Sequence, residues 1–427
     1  MDIRGTGASG GVLTRLWSEK ESEDSIEVLD WITKQNFSNG KVGLWGISYD
    51  GNAAFKTLAK GHEAIKAVAP MYMFWDIYND IALPGGVPHH KFVGEWEVLS
   101  QGLDTGSLGK IHRLLPILFK GTAPVKKSSM STADATSELK KNQKRHANNW
   151  SPKNDLDCIR FRDDIAPAAN VTADDLCPYH AVKNVWRSID IPILLVSGFY
   201  DQTCESAISA FLATTSKGMK TRLLIGPWNH AGIQHVRLSA HQKSRLSRFD
   251  IVREIVCFFD KSMNAEPYAE RPQGAHYEGN MEYSLTKRVN YFVNGEVGSR
   301  CTWKSSGNCW PPLDRVYLTF TLHPDNVLQL TKTTSEEKRD FDNKDDIVKV
   351  SSRQNFQGFS RFEAMTAVDS LISYKTRNTK WFNSSKKYRT EPLGQVDTIY
   401  SHALMLHFFP AIISCHDHSS YLPSICL

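Results

Sequence analysis

The chain has 427 residues, of which 41% are hydrophobic, 11% aromatic and 23% charged, and its formal net charge is +5. This composition is typical of a globular protein with a large core, and it excludes disordered, collagen-like and coiled-coil chains. The small positive charge predicts no nucleic-acid partner. Eight cysteines are present, but no C-x-x-C pair or Cys/His spacing is typical of zinc, so no metal or organic cofactor is expected.

The first part of the chain alternates helical and strand patterns. An amphipathic helix is predicted over residues 22–36, with Ser22 as its N-cap, because apolar residues recur three positions apart. Buried strands are predicted at 41–46 and 64–69, and a helix over 52–59 lies between them. The order helix, strand, helix, strand predicts an α/β fold with a parallel sheet.

Residues 70–190 interrupt this alternation. Helical pieces are predicted near 91–120, and the polar tract 126–145 predicts a solvated, mobile segment, with a phosphate-binding patch as the alternative. The block is typical of an insertion between sheet strands, where lids and caps are found.

The α/β pattern then resumes and gives way to a β-rich end. Strands are predicted at 192–197 and 222–226, with helices over 205–216 and 241–262. Further strands are predicted at 291–293 and 316–320. The domain prediction is an α/β core over 1–85 and 186–275, a helical cap over 86–185 and a β-rich domain over 282–427.

A serine lies between the first predicted strand and the helix that follows it. The segment 46–51 reads Gly-Ile-Ser-Tyr-Asp-Gly, so Ser48 occupies the place of the nucleophile in a strand–turn–helix elbow. The usual pattern is G-x-S-x-G, and here the second glycine falls one position later. An ordinary strand-to-helix turn is the alternative interpretation.

An acid and a base follow two later strands, in the chain order of α/β-hydrolases. Asp201 comes after the strand 192–197, and His230 comes after the strand 222–226. Ligands of open α/β sheets bind at the carboxyl ends of the strands. A serine hydroxyl needs such a base, and the base needs an orienting acid, so Ser48, His230 and Asp201 predict a serine hydrolase.

These motifs resemble the family of serine hydrolases that contains cocaine esterase, X-Pro dipeptidyl-peptidases and α-amino-acid ester hydrolases. The matching segments, in the family's order, are 2–11, 40–43, 46–51, 84–86, 198–201 and 226–230. The resemblance implies an α/β-hydrolase core, an inserted helical cap and a C-terminal jelly roll. It also places Ser48, Asp201 and His230 at the family's triad positions.

The oxyanion of acyl transfer needs hydrogen-bond donors. The backbone N–H of Tyr49, the residue after the nucleophile, is the expected first donor. In the family the second donor is a tyrosine upstream of the D-x-R-G element, and this chain reaches that element at residues 2–5. We therefore expect the sequence to represent a truncated or incorrectly assembled form of a hydrolase.

Aromatic and acidic side chains near the cap are candidates for binding substrate. Trp75 and Trp96 are predicted to line the acyl pocket, with plain core positions as the alternative. A dipeptidyl-peptidase needs a carboxylate for the free amine, and Asp50, Asp76 and Asp80 are available but typical of helix caps. General ester or amide hydrolysis is therefore placed ahead of Xaa-Pro dipeptidyl-peptidase activity.

The expected partners are a small ester or amide, or a short peptide, and a homodimer stays open. The polar start and the lack of a long apolar stretch predict a soluble protein without a membrane partner, cytoplasmic by default. The alternative function is a catalytically impaired fragment that acts as a binding module.

Overall fold

The structure is a computed structural model. It describes residues 2–107, 131–178, 190–199, 201–230, 251–263, 287–293, 302–313, 317–322, 328–334, 347–348 and 424–426. The chain divides into two compact units. The first contains residues 1–193, 217–220 and 261–264, and the second contains 194–216, 221–260 and 265–427.

The first unit is built on a parallel strand pair with helices. Helix α1 (Glu19–Thr33) precedes strand β1 (Val42–Ile47), helix α2 (Tyr49–Leu58) and strand β2 (Ile65–Met71). β1 and β2 run parallel, with Ile47 beside Met71 at their carboxyl ends, and α2 packs on both strands. This crossover confirms the predicted α/β class, because parallel strands require a connection of the βαβ type.

The start of α1 differs from the prediction. Ser18 is the N-cap, and its side chain accepts a hydrogen bond from the backbone N–H of Glu21. The prediction of Ser22 as the cap was wrong, because Ser22 already lies in the first turn and its N–H donates to the Ser18 carbonyl at 3.1 Å. The sequence Ser-x-x-Glu at 18–21 is a capping-box pattern that could have located this start.

The described part of the predicted cap is mostly helical. A π-helical turn (Tyr78–Ala82) and a 3-10 turn (Pro84–Gly86) lead into it, and it contains helices α3 (His90–Asp104), α4 (Thr132–His146) and α5 (Pro152–Leu156). A two-stranded hairpin, β3 (Ile165–Ala166) with β4 (Val171–Thr172), and a 3-10 turn (Asp174–Leu176) follow. Residues 108–130 and 179–189 lie outside the described residues.

Helix α4 forms part of the polar tract that is predicted to be solvated and mobile. Ser131 caps it, and most of its 15 residues are exposed, as expected of a solvated segment. Its mobility stays a prediction. His146, at its end, is buried and contacts the Ser9 carbonyl at 2.9 Å. Asn149 donates to the Gly5 carbonyl at 2.8 Å. These contacts hold the N-terminal loop, and a local sequence pattern cannot reveal them because the partners lie more than 130 residues apart.

The second unit contains a mixed sheet with strand order β5-β6-β7-β8. Its elements are β5 (Ile193–Gly198), helix α6 (Cys204–Ser216), β6 (Thr221–Gly226), helix α7 (Ile251–Ser262), β7 (Val289–Val293) and β8 (Thr302–Ser306). β6 and β7 are parallel, and β8 is antiparallel to β7. β5 is completely buried, as the continuous apolar run predicts for a central strand.

The C-terminal region contributes a small antiparallel sheet. Its strands are β9 (Tyr317–Leu322), β10 (Leu328–Thr334), β11 (Ile347–Val348) and β12 (Ser424–Cys426), in the order β11-β10-β9-β12. The jelly roll stays a prediction, because residues 335–346 and 349–423 lie outside the described part of the chain.

Candidate active site

Ser48 occupies a strained turn between β1 and α2. Its φ is 60° and its ψ is −119°, in a region that residues with a side chain rarely adopt. The backbone N–H of Ser48 donates to the Met71 carbonyl at 2.9 Å, which ties the turn to the end of β2. The Ser48 side chain makes no capping hydrogen bond to α2. Such strain at a strand-to-helix turn is typical of a nucleophile elbow.

The two glycines of the motif are required by close backbone contacts. A Cβ at Gly46 would overlap the backbone of Asp50. A Cβ at Gly51 would lie 2.6 Å from the Met71 carbonyl oxygen and 3.1 Å from that of Gly46. The second glycine is therefore displaced by one position because it is residue 51 of α2, not residue 50, that meets strand β2.

Gly51→Ala should destabilise the protein by about 1–3 kcal/mol, because the added methyl group forces α2 away from β2. Gly94→Ala is the matched control, since Gly94 is also helical but a Cβ there meets nothing within 4 Å. We expect that control to be neutral or slightly stabilising. Thermal unfolding midpoints measure both, and a Gly51→Ala midpoint at or above that of the unaltered protein would contradict the packing described here.

Tyr49, the expected oxyanion donor, is the first residue of α2. The N–H groups of a helix's first turn have no hydrogen-bond partner within the helix, so the helix itself leaves the Tyr49 N–H available. The rest of Tyr49 is held in place by two other residues. Its hydroxyl donates to Glu21 Oε2 at 2.8 Å, and its carbonyl accepts from Trp17 Nε1 at 3.0 Å. The Trp17 and Tyr49 rings lie 5.1 Å apart.

Backbone strain is concentrated around this elbow. Trp17 and Tyr72 have φ values of 46° and 49°, and both are buried. Tyr72 directly follows Met71, the residue that anchors Ser48. Strained residues of this kind persist where the surrounding structure holds them, and they cluster at functional sites.

In the second unit, the structure brings Asp201 and His230 together. His230 Nδ1 lies 2.6 Å from Asp201 Oδ2, and the side chains are 22% and 1% exposed, respectively. Burial disfavours the charged form of His230, but the charge and hydrogen bond of Asp201 outweigh it, so the pKa of His230 is raised above its ordinary value. The pair has the geometry of an oriented general base.

The second oxygen of Asp201 is also fully engaged. Thr203 donates to Asp201 Oδ1 from its backbone N–H at 2.7 Å and from its hydroxyl at 2.5 Å. Ser197 Oγ lies 3.0 Å from the Thr203 hydroxyl. These contacts fix the orientation of the carboxylate toward His230. Sequence reasoning did not find Thr203, although a hydroxyl residue two positions after an acid is a common turn signal.

Two glycines let the loops that carry Asp201 and His230 approach each other. A Cβ at Gly198 would overlap the backbone of Trp228, and one at Gly226 would lie 2.5 Å from the Trp228 ring. The Phe199 N–H also donates to the Gly226 carbonyl at 2.9 Å. The ends of β5 and β6 therefore place the acid and the base side by side, as the strand-end rule predicts.

The two tryptophans predicted to bind substrate have different environments. Trp75 is buried, and its ring packs edge-on against the Phe55 ring with the ring centres 5.7 Å apart. Its side chain therefore belongs to the core. Trp96 is half-buried on α3. Their role in binding stays a prediction. Ser48, Tyr49 and both tryptophans belong to the first unit, and Asp201 and His230 belong to the second.

The described residues hold no group of three or more His, Cys, Asp or Glu side chains arranged to bind a metal ion. Within the same part of the chain, none of the helices has both the length and the hydropathy that a membrane span needs.

Residues 1–232, which include the elbow, the acid and the base, match the family model of X-Pro dipeptidyl-peptidase, S15 family. The match covers more than half of the chain. The chain belongs to the S15 family. This membership confirms the family resemblance seen in the sequence and, with the observed strands and helices, the α/β-hydrolase fold class.

Several individual proteins are similar to this chain. A Mycobacterium bovis protein named as a serine esterase is 30% identical over 340 residues, covering 73% of this chain and 48% of that protein. The cocaine esterase of a Rhodococcus species is 23% identical over 354 residues, covering 75% and 51%. A solved CocE/NonD family hydrolase from Staphylococcus aureus has 19% identity and a TM-score of 0.48, covering 76% and 44%. The chain thus spans about half the length of the curated relatives it matches.

Proposed function

We propose that this S15-family chain is a serine hydrolase that cleaves ester or amide bonds through an acyl-enzyme on Ser48. The observation that carries the proposal is the Asp201–His230 pair, joined at 2.6 Å and held by Thr203. A buried carboxylate that orients an imidazole is the arrangement that serine nucleophiles require. The strained elbow at Ser48 supplies the matching nucleophile.

The proposed reaction has two steps. Ser48 Oγ attacks the substrate carbonyl carbon, and its proton passes to His230 Nε2. The imidazolium then gives this proton to the leaving alcohol or amine as the carbon–oxygen or carbon–nitrogen bond breaks. Water attacks the acyl carbon in the second step, and His230 takes a proton from it. This proton passes to Ser48 Oγ as the bond between that oxygen and the acyl carbon breaks and the carboxylic acid is released. Asp201 remains ionised and stabilises the charged imidazole throughout.

The Tyr49 N–H is proposed as an oxyanion donor in both steps. The negative oxygen of the tetrahedral intermediate would lie at the N-terminus of α2, where the helix dipole also favours negative charge. The tight contacts of Gly46 and Gly51 support this placement, because they fix the first turn of α2 relative to Ser48.

The acidic residues near the elbow favour ester or amide hydrolysis over the recognition of a free amine. Asp76 is paired with Arg162 at 2.6 Å and accepts from Asn79. Asp80 accepts from the backbone N–H groups of Trp75 and Asp76 at 3.0 and 2.8 Å. These two carboxylates therefore have structural partners, and Asp50, on the exposed side of α2, is the remaining candidate for an amine.

A substrate panel tests the proposal. The protein is assayed with p-nitrophenyl esters of increasing acyl length, a simple anilide and an Xaa-Pro anilide. We expect turnover of short esters that exceeds turnover of the Xaa-Pro anilide. Preferential cleavage of the Xaa-Pro anilide would instead assign the dipeptidyl-peptidase activity, and folded protein that cleaves none of them would support a binding module.

The pH dependence of kcat/KM should follow His230. The base works only when neutral, so activity is lost as pH falls through its pKa, which is raised above the ordinary value of about 6.5. Glu21 also titrates in this range, because burial raises its pKa to about 7. The profile is therefore repeated with Glu21→Gln, which should keep the same midpoint. A flat profile between pH 5 and 8 would contradict the role of His230.

A further inference from the structure

Beneath the elbow lies a buried carboxylate that the proposed chemistry does not use. Glu21, in the first turn of α1, is 6% exposed. Its Oε2 accepts the hydrogen bond of the Tyr49 hydroxyl, and its Oε1 is buried without a hydrogen-bond partner. A buried acceptor without a hydrogen-bond partner is unfavourable for stability, so a folding role alone does not explain this placement.

Glu21 also forgoes the structural role that its position offers. In a capping box, the glutamate three residues after the cap bonds back to the N–H of the capping residue. Here the Glu21 N–H does donate to Ser18 Oγ at 3.2 Å, but the Glu21 side chain turns to Tyr49, 28 residues away. The carboxylate is thus committed to the residue that follows the proposed nucleophile.

A buried lysine lies near Glu21 but forms no close ion pair with it. Lys56, one helix away, is buried with its Nζ 5.8 Å from the centre of the Trp17 ring, and burial lowers its pKa to about 8. Asp24 and Asp50 are the nearby acids that add to the electrostatic cost. Burial is the main cause that raises the pKa of Tyr49 well above its usual range, and the charge of Glu21 adds to it. The Tyr49 hydroxyl therefore stays protonated and donates.

We propose that Glu21 is a positioning residue that orients the Tyr49 N–H for the reaction at Ser48. The carboxylate fixes the Tyr49 hydroxyl from α1, while Trp17 Nε1 fixes the Tyr49 carbonyl from the preceding loop. Together they clamp the side chain and the backbone of one residue, and so set the direction of its N–H. This inference rests on the proposed function of Ser48.

The positioning of the Tyr49 N–H by Glu21 should stabilise the transition state more than the bound substrate. A misdirected donor binds the ground-state carbonyl nearly as well but stabilises the oxyanion less, so kcat falls while KM stays the same. Complete loss of an oxyanion donor costs about 10²–10³ in rate, and a loosened one should cost about tenfold.

The test compares five variants with a p-nitrophenyl ester. Glu21→Leu and Tyr49→Phe each remove the bond, and each should lower kcat about tenfold with KM unchanged. The double variant should be no slower than Tyr49→Phe, because phenylalanine already removes the bond to Glu21, together with the longer contact at 3.4 Å from the Trp17 N–H to the Tyr49 hydroxyl. Glu21→Gln keeps an acceptor for the tyrosine hydroxyl and should retain kcat within about twofold. Glu27→Leu, on the exposed face of α1, is the matched control and should behave as the unaltered protein.

Tyr49→Phe keeps the ring against Trp17 and removes the contacts of the hydroxyl with Glu21 and with the Trp17 N–H, so it tests the same positioning of Tyr49 if Glu21→Leu does not fold. The inference is overturned if Tyr49→Phe keeps full kcat, if the two losses multiply, or if KM changes in place of kcat. An unaltered protein that cleaves no ester and takes no fluorophosphonate label removes the proposed function and the inference together. An active protein whose Glu21 and Tyr49 variants keep full kcat removes the inference alone.

Discussion

Ser48→Ala should lower kcat for a p-nitrophenyl ester by about 10⁴-fold or more, because the acyl-enzyme can no longer form. The folded structure should persist. Alanine carries the same Cβ as serine in the strained backbone, and the Ser48 side chain makes no capping bond that would be lost.

The control for this substitution is Ser100→Ala on α3, where the serine hydroxyl bonds only to the Glu97 carbonyl among the contacts found. That variant should keep full activity. A Ser48→Ala protein with the kcat of the unaltered protein would show that another residue carries the chemistry, even if the elbow is built as described.

Asp201→Asn should lower kcat by about 10⁴-fold, with little change in KM. The amide oxygen of asparagine can still accept from Thr203, so its NH₂ group is turned toward His230 Nδ1. An NH₂ group there donates, which forces the proton of the neutral imidazole onto Nε2. In that tautomer His230 cannot accept the proton of Ser48.

Asp190→Asn is the control for the second variant, since the Asp190 carboxylate is exposed and paired with Lys220 at 2.7 Å. Exposed pairs of this kind contribute little, so both activity and stability should be unchanged. Equal kcat values for Asp201→Asn and Asp190→Asn would contradict the role of the Asp201–His230 pair.

The parts of the candidate site that the sequence predicts are those encoded by local pattern. Ser48 sits between a buried strand and a helix, and Asp201 and His230 each follow a buried strand, so strand prediction alone places all three at strand ends. The displaced glycine was visible as a departure from G-x-S-x-G. Its reason, the contact of residue 51 with Met71, needed the position of β2.

The parts that the sequence did not reveal depend on distant contacts. Glu21 and Tyr49 are 28 residues apart. In an isolated helix the Glu21 side chain would bond to the N-cap, but in the folded protein it accepts a hydrogen bond from Tyr49 instead. The polar tract was expected to be mobile because its own composition is hydrophilic. The tract nevertheless contains helix α4, whose His146 and Asn142 contact carbonyl groups of the N-terminal loop.

Fluorophosphonate labelling followed by peptide mass spectrometry tests the central claim most directly, because the probe reacts with a serine only when a neighbouring base activates it. We expect a single phosphonyl group on Ser48, which is absent when His230 is replaced by alanine. Folded protein that takes no label, or takes it on a different residue, would contradict the assignment of Ser48 as the nucleophile.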